Sequence, residues 1–411
     1  MCWLVYAISY IARGNFSFAR SIMIDESVIG VGIAGIISAV YFISYAVGQL
    51  VNGILADKKS PFVMVTVGLL FVMLSNFAMA LSLPPVIYCV LWGINGFGQS
   101  MLWSPIFFIM SNILNSKIRF FAVTVVSLCT PFGKMSSSVL SGIVLRNGVW
   151  QNVFYMASIA VMIIAIMWIT AYLCTRGQLV TERVEKKQQT QVTELPQGKI
   201  RLFATCGLLA SIPSLVVLGL FYNGVVEVIP SILSSSYGLS ASVAALLDSI
   251  IPIVGMSGVF ICNFVYRLVK RNEVRGGLIF MALSIIPVAV MLFMALLGRG
   301  GYVFGQYADA VIFLIAYGLI YVFQLAFNHM MISLMAMRFS KFSLAATASG
   351  LMNAINYGGS AISTYGMSYA VNRLPLYGTV MIWLGCLLVA CTALLVAQKQ
   401  WTAFSKKEKF I

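Results

Sequence analysis

Residues 277–297 read GLIFMALSIIPVAVMLFMALL, an apolar run without a single charge. At about 1.5 Å per residue, a helix of this length crosses a hydrocarbon core about 30 Å thick. Lipid offers nothing to pair with free backbone groups, so such a run must be a helix or a strand of a closed barrel. A barrel strand would alternate polar and apolar residues, and this run does not. Basic residues bracket it, with Lys270, Arg271 and Arg275 before and Arg299 after.

Similar runs lie on either side, at 2–23, 29–52, 62–81, 87–113, 121–145, 153–174, 206–232, 243–265, 309–335, 344–371 and 376–397. Over all 411 residues the chain is 61% hydrophobic and 9% charged, against about 25% charged in soluble domains. A soluble domain so composed would lack a polar shell. These features predict an all-α membrane protein with twelve transmembrane helices.

The net charge of +15 raises the question of a nucleic-acid partner, and its distribution answers it. Of the 26 Lys and Arg, only Arg20 (at the far end of the first run), Arg146, Arg299 and Arg373 fall on one side of the twelve runs, and Arg13 and Lys134 fall in the middle of runs. The rest sit in the loops and tail on the other side, from Lys58 and Lys59 to Lys406, Lys407 and Lys409. Cytoplasmic loops retain Lys and Arg, so both termini are expected in the cytoplasm, with no nucleic-acid partner. The first run carries Arg13 in its middle, which argues against a cleavable signal peptide. A Met directly at a membrane helix is unusual, and a short basic tail ahead of it is expected. Eight cysteines are scattered singly, mostly within apolar runs, with neither disulfide nor metal spacing. No cofactor is indicated.

The longest polar stretch, Thr175 to Arg201, includes ERVEKKQQTQVTELPQGK and divides the chain almost evenly. It is expected to be a cytoplasmic linker (175–201) between six-helix halves at 1–174 and 202–398, followed by a cytoplasmic tail at 399–411. The halves echo each other. Ser116-Lys117 opens the fifth span, with Gly133 following; Ser340-Lys341 opens the eleventh, with Gly358 following. Both spans are rich in Gly, Ser and Ala, which permit close helix approach in lipid. Two six-helix repeats about an axis along the membrane normal form a transporter architecture with its site at mid-depth.

Between the second and third spans the chain reads Gly53-Ile-Leu-Ala-Asp57-Lys58-Lys59-Ser60-Pro61. Gly53 permits helix contact, Asp57 can meet a neighbouring helix N-terminus, and the lysines anchor the membrane edge. This spacing resembles the signature loop of the major facilitator superfamily, with Ser60-Pro61 in place of its later Gly. The resemblance implies a gating role for Asp57 and Lys58. Three further stretches are similar to the organophosphate:phosphate antiporter family, which includes glycerol-3-phosphate and hexose-phosphate transporters. They are Tyr10-Ile-Ala-Arg13-Gly14-Asn15-Phe16, Asn95-Gly96-Phe97-Gly98-Gln99-Ser100-Met101-Leu102-Trp103-Ser104-Pro105, and Tyr222-Asn223-Gly224-Val225-Val226-Glu227-Val228-Ile229-Pro230. The resemblance implies a phosphate clamp of one arginine from each half, with Arg13 as the first and Tyr10, Asn15 and Trp103 in the site. The second arginine position is Tyr222 here, and the fifth-span His is absent from Cys129-Thr130-Pro131-Phe132-Gly133-Lys134. Lys134 falls nearby and could supply the lost charge.

Insertion costs point to related residues. An ionised group at the bilayer centre costs about 2.5–3.5 kcal/mol or more, so it normally faces a polar cavity or a partner. Arg13 and Lys134 lie near mid-span. Arg13 can hold a phosphate or carboxylate through a bidentate fork, which a lysine cannot. Lys134 is open to two readings, substrate contact or structural salt bridge. Glu227 and Asp248 lie toward the outer ends of their spans and suit structural, gating or proton-coupling roles. His329 either titrates near neutrality or hydrogen-bonds to a neighbouring span. Asn328 and Asn356, with Gln324, Asn353 and Tyr357, are candidate cavity-lining groups or interhelical contacts. No catalytic constellation appears at usable spacing.

The expectation is a secondary transporter working by alternating access on a small organic anion, phosphorylated metabolites included. Its partners are a small-molecule substrate, the lipid bilayer and a coupling proton or counter-anion. A monomer in a bacterial inner membrane is expected. One alternative is a proton-coupled symporter or antiporter of a carboxylate, zwitterion or drug; another is a transporter-like substrate sensor.

Overall fold

The computed structural model describes residues 1–113, 116–145, 148–189, 199–239 and 241–408. The described residues form helices joined by turns. In chain order these are α1 (Cys2–Ser9), α2 (Ile11–Asp25), α3 (Val31–Lys58), α4 (Pro61–Met79), α5 (Pro85–Phe108), α6 (Ser116–Ser127), α7 (Cys129–Val144), α8 (Gln151–Gln189) and α9 (Lys199–Thr205). Then come α10 (Ile212–Gly219), α11 (Ile229–Tyr237), α12 (Ala241–Gly255), α13 (Ser257–Leu268), α14 (Glu273–Leu297), α15 (Gln306–Asn328), α16 (Ala336–Arg338), α17 (Ala345–Arg373) and α18 (Leu376–Lys407).

Local chemistry sets many of the boundaries. Pro61 and Pro85 occupy the first turns of α4 and α5, where a missing N–H costs nothing. Asn272 caps α14 by accepting from the Arg275 N–H at 3.0 Å. Pro131 cannot donate to the Ser127 carbonyl, and the fifth crossing breaks at Leu128 between α6 and α7. Pro252 lies inside α12, which ends at Gly255 before α13 begins at Ser257. Beyond Thr175, α8 continues helically to Gln189 through part of the expected linker, a stretch rich in the good helix formers Glu, Lys and Gln. The remainder of that linker, 190–198, lies outside the described residues.

Among the described residues, eight helical stretches are long and apolar enough to cross a membrane. The first, fourth, seventh and eleventh sequence runs are not among them, and these four carry Arg13, Trp103, Tyr222 and Asn356. The seventh run is represented by a shorter apolar helix, Leu209–Val225. On α8, Ile159, Met162, Ile163, Ile166 and Met167 are exposed, while Val161, Ile164, Ala165 and Trp168 are buried. Asn15, Gln49, Asn52, Asn76 and Asn95 are wholly buried. Buried amides beneath an apolar exterior suit a hydrocarbon solvent.

Contacts divide the chain into two compact units. The first comprises Met1–Glu194 with Ala336–Ala354, the second Leu195–Met335 with Ile355–Ile411. Within each, glycine permits direct backbone approach. A Cβ at Gly96 would meet the Tyr41 carbonyl oxygen at 2.5 Å, drawing α5 onto α3 in the first unit. In the second, a Cβ at Gly219 would collide with the Asn356 carbonyl oxygen, whereas one at Gly366 would meet nothing within 4 Å. Gly219→Ala is therefore expected to destabilise the protein by about 1–3 kcal/mol through overpacking. Gly366→Ala should be neutral or slightly stabilising, because alanine favours the helix. Thermal unfolding of the two variants in detergent checks the contrast; equal melting temperatures would contradict it.

Candidate functional site

In the first unit the site is built around a helix break. The Tyr10 N–H bonds to the Ala7 carbonyl at 3.2 Å and the Arg13 N–H to the Tyr10 carbonyl at 3.2 Å, three residues back instead of four. The break separates α1 from α2 and places Arg13 in the first turn of α2. Its guanidinium carbon lies 5.0 Å from the ring centre of Tyr10, 5.5 Å from Tyr41 and 5.1 Å from Tyr45. Arg13 Nη1 also donates to the Tyr10 hydroxyl at 3.5 Å. Each ring face favours the cation by about 0.5–2 kcal/mol, depending on desolvation. Arg13 is half-buried, and Tyr10, Tyr41 and Tyr45 are buried. The Tyr41 hydroxyl has no hydrogen-bond partner among the described residues.

Lys134 is brought to the same region through α7. A Cβ on Gly133 would meet the Tyr10 Cβ at 2.6 Å, and one on Gly14 would meet Ser137 Oγ at 2.6 Å. These contacts lock α7 against the break, with half-buried Lys134 between them in sequence. Asn15 turns into the bundle, donating to Asn76 Oδ1 at 2.8 Å. The Trp103 ring packs on Tyr6 at 4.9 Å and its indole N–H donates to Ser349 Oγ at 2.9 Å.

The signature loop has a separate geometry in the same unit. Asp57 accepts from the Thr347 N–H at 2.7 Å, the Thr347 hydroxyl at 2.6 Å and the Ala346 N–H at 3.2 Å. Those N–H groups belong to the first turn of α17, so the carboxylate caps its positive end. Gly53 explains the glycine one turn earlier: a Cβ there would meet the Ala346 carbonyl at 3.0 Å and Gly350 Cα at 3.1 Å. Lys58 points to the exposed surface.

In the second unit, Tyr222 lies on a π-helical turn, Leu220–Val225, and stacks on Tyr321 with ring centres 5.3 Å apart. The turn is held by hydroxyl donors: Ser363 to the Leu220 carbonyl at 3.1 Å and Tyr317 to the Phe221 carbonyl at 3.4 Å. Asn356 is buried, and its side-chain oxygen has no hydrogen-bond partner among the described residues. Asn328, half-buried, ends α15, and buried His329 opens a second π-helical turn, His329–Met335. Such turns occur often at functional sites. The backbones of Glu227 and Asp248 are helical, but their side chains lie outside the described residues.

Tyr41 and Tyr45 escaped the sequence reading. Their four-residue spacing places both on one helix face, the one signal available. Nothing in that spacing identifies Arg13 as their neighbour.

A family model described as Major Facilitator Superfamily matches residues 2–364. A probable hexose phosphate transport protein of Chlamydia trachomatis is 23% identical over 409 residues, covering 94% of this chain and 87% of that one. The membrane sensor protein UhpC of Escherichia coli is 28% identical over 97 residues, 24% of this chain and 22% of that protein. Among solved structures, the proton:xylose symporter XylE bound to 6-bromo-6-deoxy-D-glucose matches with a TM-score of 0.74. That match has 12% identity and covers 95% of this chain and 94% of the other, a likeness of fold.

Proposed function

The chain belongs to the Major Facilitator Superfamily, with its all-α fold of twelve transmembrane helices in two six-helix halves, and from that we propose that it carries a small organic anion bound at Arg13. A phosphorylated sugar is the first candidate. The carrying observation is the guanidinium held within 5.0–5.5 Å of three tyrosine rings. The rings stabilise a cation in the membrane, and a guanidinium carries five N–H donors in a planar fork that matches a phosphate or carboxylate. Similarity to a protein named a hexose phosphate transport protein supports the substrate class. Lys134 adds a second positive group from the same unit, and Tyr222 replaces a second arginine with a neutral ring. Within the first unit Tyr10 and Trp103 complete the proposed site and Asn15 supports it from within the bundle; Asn328 and Asn356 are the substrate contacts proposed for the second unit by itself.

The cycle is alternating access, with Asp57 and Lys58 in the gate and a counter-anion or proton as the coupling species. Glu227, Asp248 and His329 are the groups reserved for coupling. The two halves are 1–174 and 202–398, joined by a linker at 175–201 and followed by a tail at 399–411. A multi-pass monomer in a bacterial inner membrane, with both termini cytoplasmic, suits the placement of Lys and Arg. The chain performs no covalent chemistry on its cargo.

Counterflow in proteoliposomes tests this. Vesicles loaded with inorganic phosphate or glucose 6-phosphate should accumulate labelled glucose 6-phosphate at constant pH, and a collapsed proton gradient should not matter for exchange. Accumulation that requires an acidic exterior would favour proton coupling. Binding without any movement would favour a sensor, a reading that the match to UhpC supports.

A further inference from the structure

The break at Tyr10 has no proline and no glycine to cause it: Tyr10 keeps right-handed helical angles, φ −66° and ψ −26°. Its cause lies in the helices packed against it. The Arg13 N–H bonds to the Tyr10 carbonyl at 3.2 Å and so leaves the Ser9 carbonyl without that helical partner. In hydrocarbon a freed carbonyl must find another donor. Gln99 supplies one, its side-chain N–H reaching the Ser9 oxygen at 2.8 Å. On the other side of the break, the Ala12 oxygen accepts from Asn95 at 2.9 Å and from Asn76 at 3.1 Å. Asn76 is oriented in turn by Asn15 at 2.8 Å. Asn76, Asn95 and Gln99 are 0–2% exposed.

The α5 residues run antiparallel to the first crossing in strict register. Trp92 packs on Phe16 at 5.4 Å, Asn95 bonds at Ala12, Gln99 bonds at Ser9, and Trp103 packs on Tyr6 at 4.9 Å. Aromatic contacts fix the two ends of this face, and amides grip the two carbonyls bracketing the break. Ordinary interhelical glue would not need its donors at those two carbonyls, one turn apart and immediately ahead of the arginine.

We infer that Gln99 and Asn95 are positioning residues for anion recognition: they hold the first helix broken at Tyr10 and thereby aim Arg13 among the tyrosines. The inference rests on Arg13 being the anion contact. Gln99 makes no contact with substrate in this scheme and acts through the backbone of residues 9–13. Because recognition geometry must hold to about 0.5 Å, loss of one amide should be felt as weakened binding rather than slower turnover.

The test compares Gln99→Met, Gln99→His, Arg13→Ala and the Gln99→Met/Arg13→Ala pair by glucose 6-phosphate counterflow, normalised to folded carrier. Gln99→Met removes the donor at nearly constant volume and should raise KM by about tenfold or more, with Vmax nearly unchanged. Gln99→His keeps an N–H at similar reach and should recover most of the affinity. In the Arg13→Ala background Gln99→Met should add nothing. If Gln99→Met instead lowers Vmax and melting temperature with KM unchanged, the amide is packing glue and the inference falls. If Arg13→Ala leaves KM unchanged, the anion site itself is misplaced; a Gln99→Met effect persisting in that background would likewise overturn action through Arg13. Should Gln99→Met fail to fold, Asn95→Ser, too short to reach the Ala12 oxygen, is judged by the same KM and Vmax criteria. Absence of binding by the wild-type protein to phosphate, glucose 6-phosphate and glucuronate alike would sink both readings.

Discussion

Arg13→Ala is expected to weaken anion recognition strongly while leaving a folded carrier. The guanidinium is the charged donor at the break, and the substrate bonds proposed for it would be charge-assisted and partly desolvated. Truncating one member of such a pair costs about 2–5 kcal/mol, a loss of about thirtyfold to several thousandfold in affinity. The tyrosines would remain packed on one another, Tyr41 against Tyr45 at 6.1 Å and Tyr6 against Tyr10 at 5.4 Å, so collapse of the region is not expected. Arg13→Lys separates charge from geometry. A lysine keeps the cation but cannot present two parallel N–H groups to one phosphate or carboxylate. Its affinity for glucose 6-phosphate should fall between those of wild type and Arg13→Ala. Ligand-induced shifts in melting temperature across the three proteins provide the measurement. Equal stabilisation of wild type and Arg13→Ala by the same anions would end the case for this site.

Asp57→Ala should produce a different defect, in turnover rather than binding. The carboxylate accepts three donors at the first turn of α17, so its loss removes a cap worth about 0.5–2 kcal/mol and a favourable charge–dipole term of about 0.3–1 kcal/mol. The Ala346 and Thr347 amides should then exchange hydrogen faster, which mass spectrometry of that segment reads directly. If this contact is made and broken in each cycle, Vmax for counterflow should drop sharply while binding affinity at Arg13 stays within about twofold, since distant sites are nearly additive. Asp57→Asn retains an acceptor without the charge and should be intermediate. Unchanged exchange at Ala346 and Thr347 together with normal transport would show that the cap is dispensable.

Much of this was legible before any coordinates. Arg13 stood out because a charge in an apolar run is costly enough to require a reason, and Gly53 and Asp57 because their spacing places a small residue and an acceptor one helical turn apart. The tyrosine ring set was not legible. Tyr41 and Tyr45 sit in a helix otherwise indistinguishable from a lipid-facing one, and only the packing of α2 beside α3 brings the Arg13 guanidinium over their rings. Nor did the break at Tyr10 announce itself, since no proline or glycine marks it. The similarity of the Asn95–Pro105 stretch to a family pattern pointed at the fourth span without saying what its amides hold.

The sequence by itself determined the membrane class, the count of the crossings and the two cations, Arg13 and Lys134, that lie within them. These follow from per-residue transfer costs summed along short windows, which need no partner. Only the tertiary structure decided where the first helix breaks, which rings surround Arg13, that Asn15 faces the bundle and that Asp57 caps α17. Each of those depends on the register between helices far apart in the chain, and a slip of one residue, about 100° of helical rotation, would turn every one of these groups away.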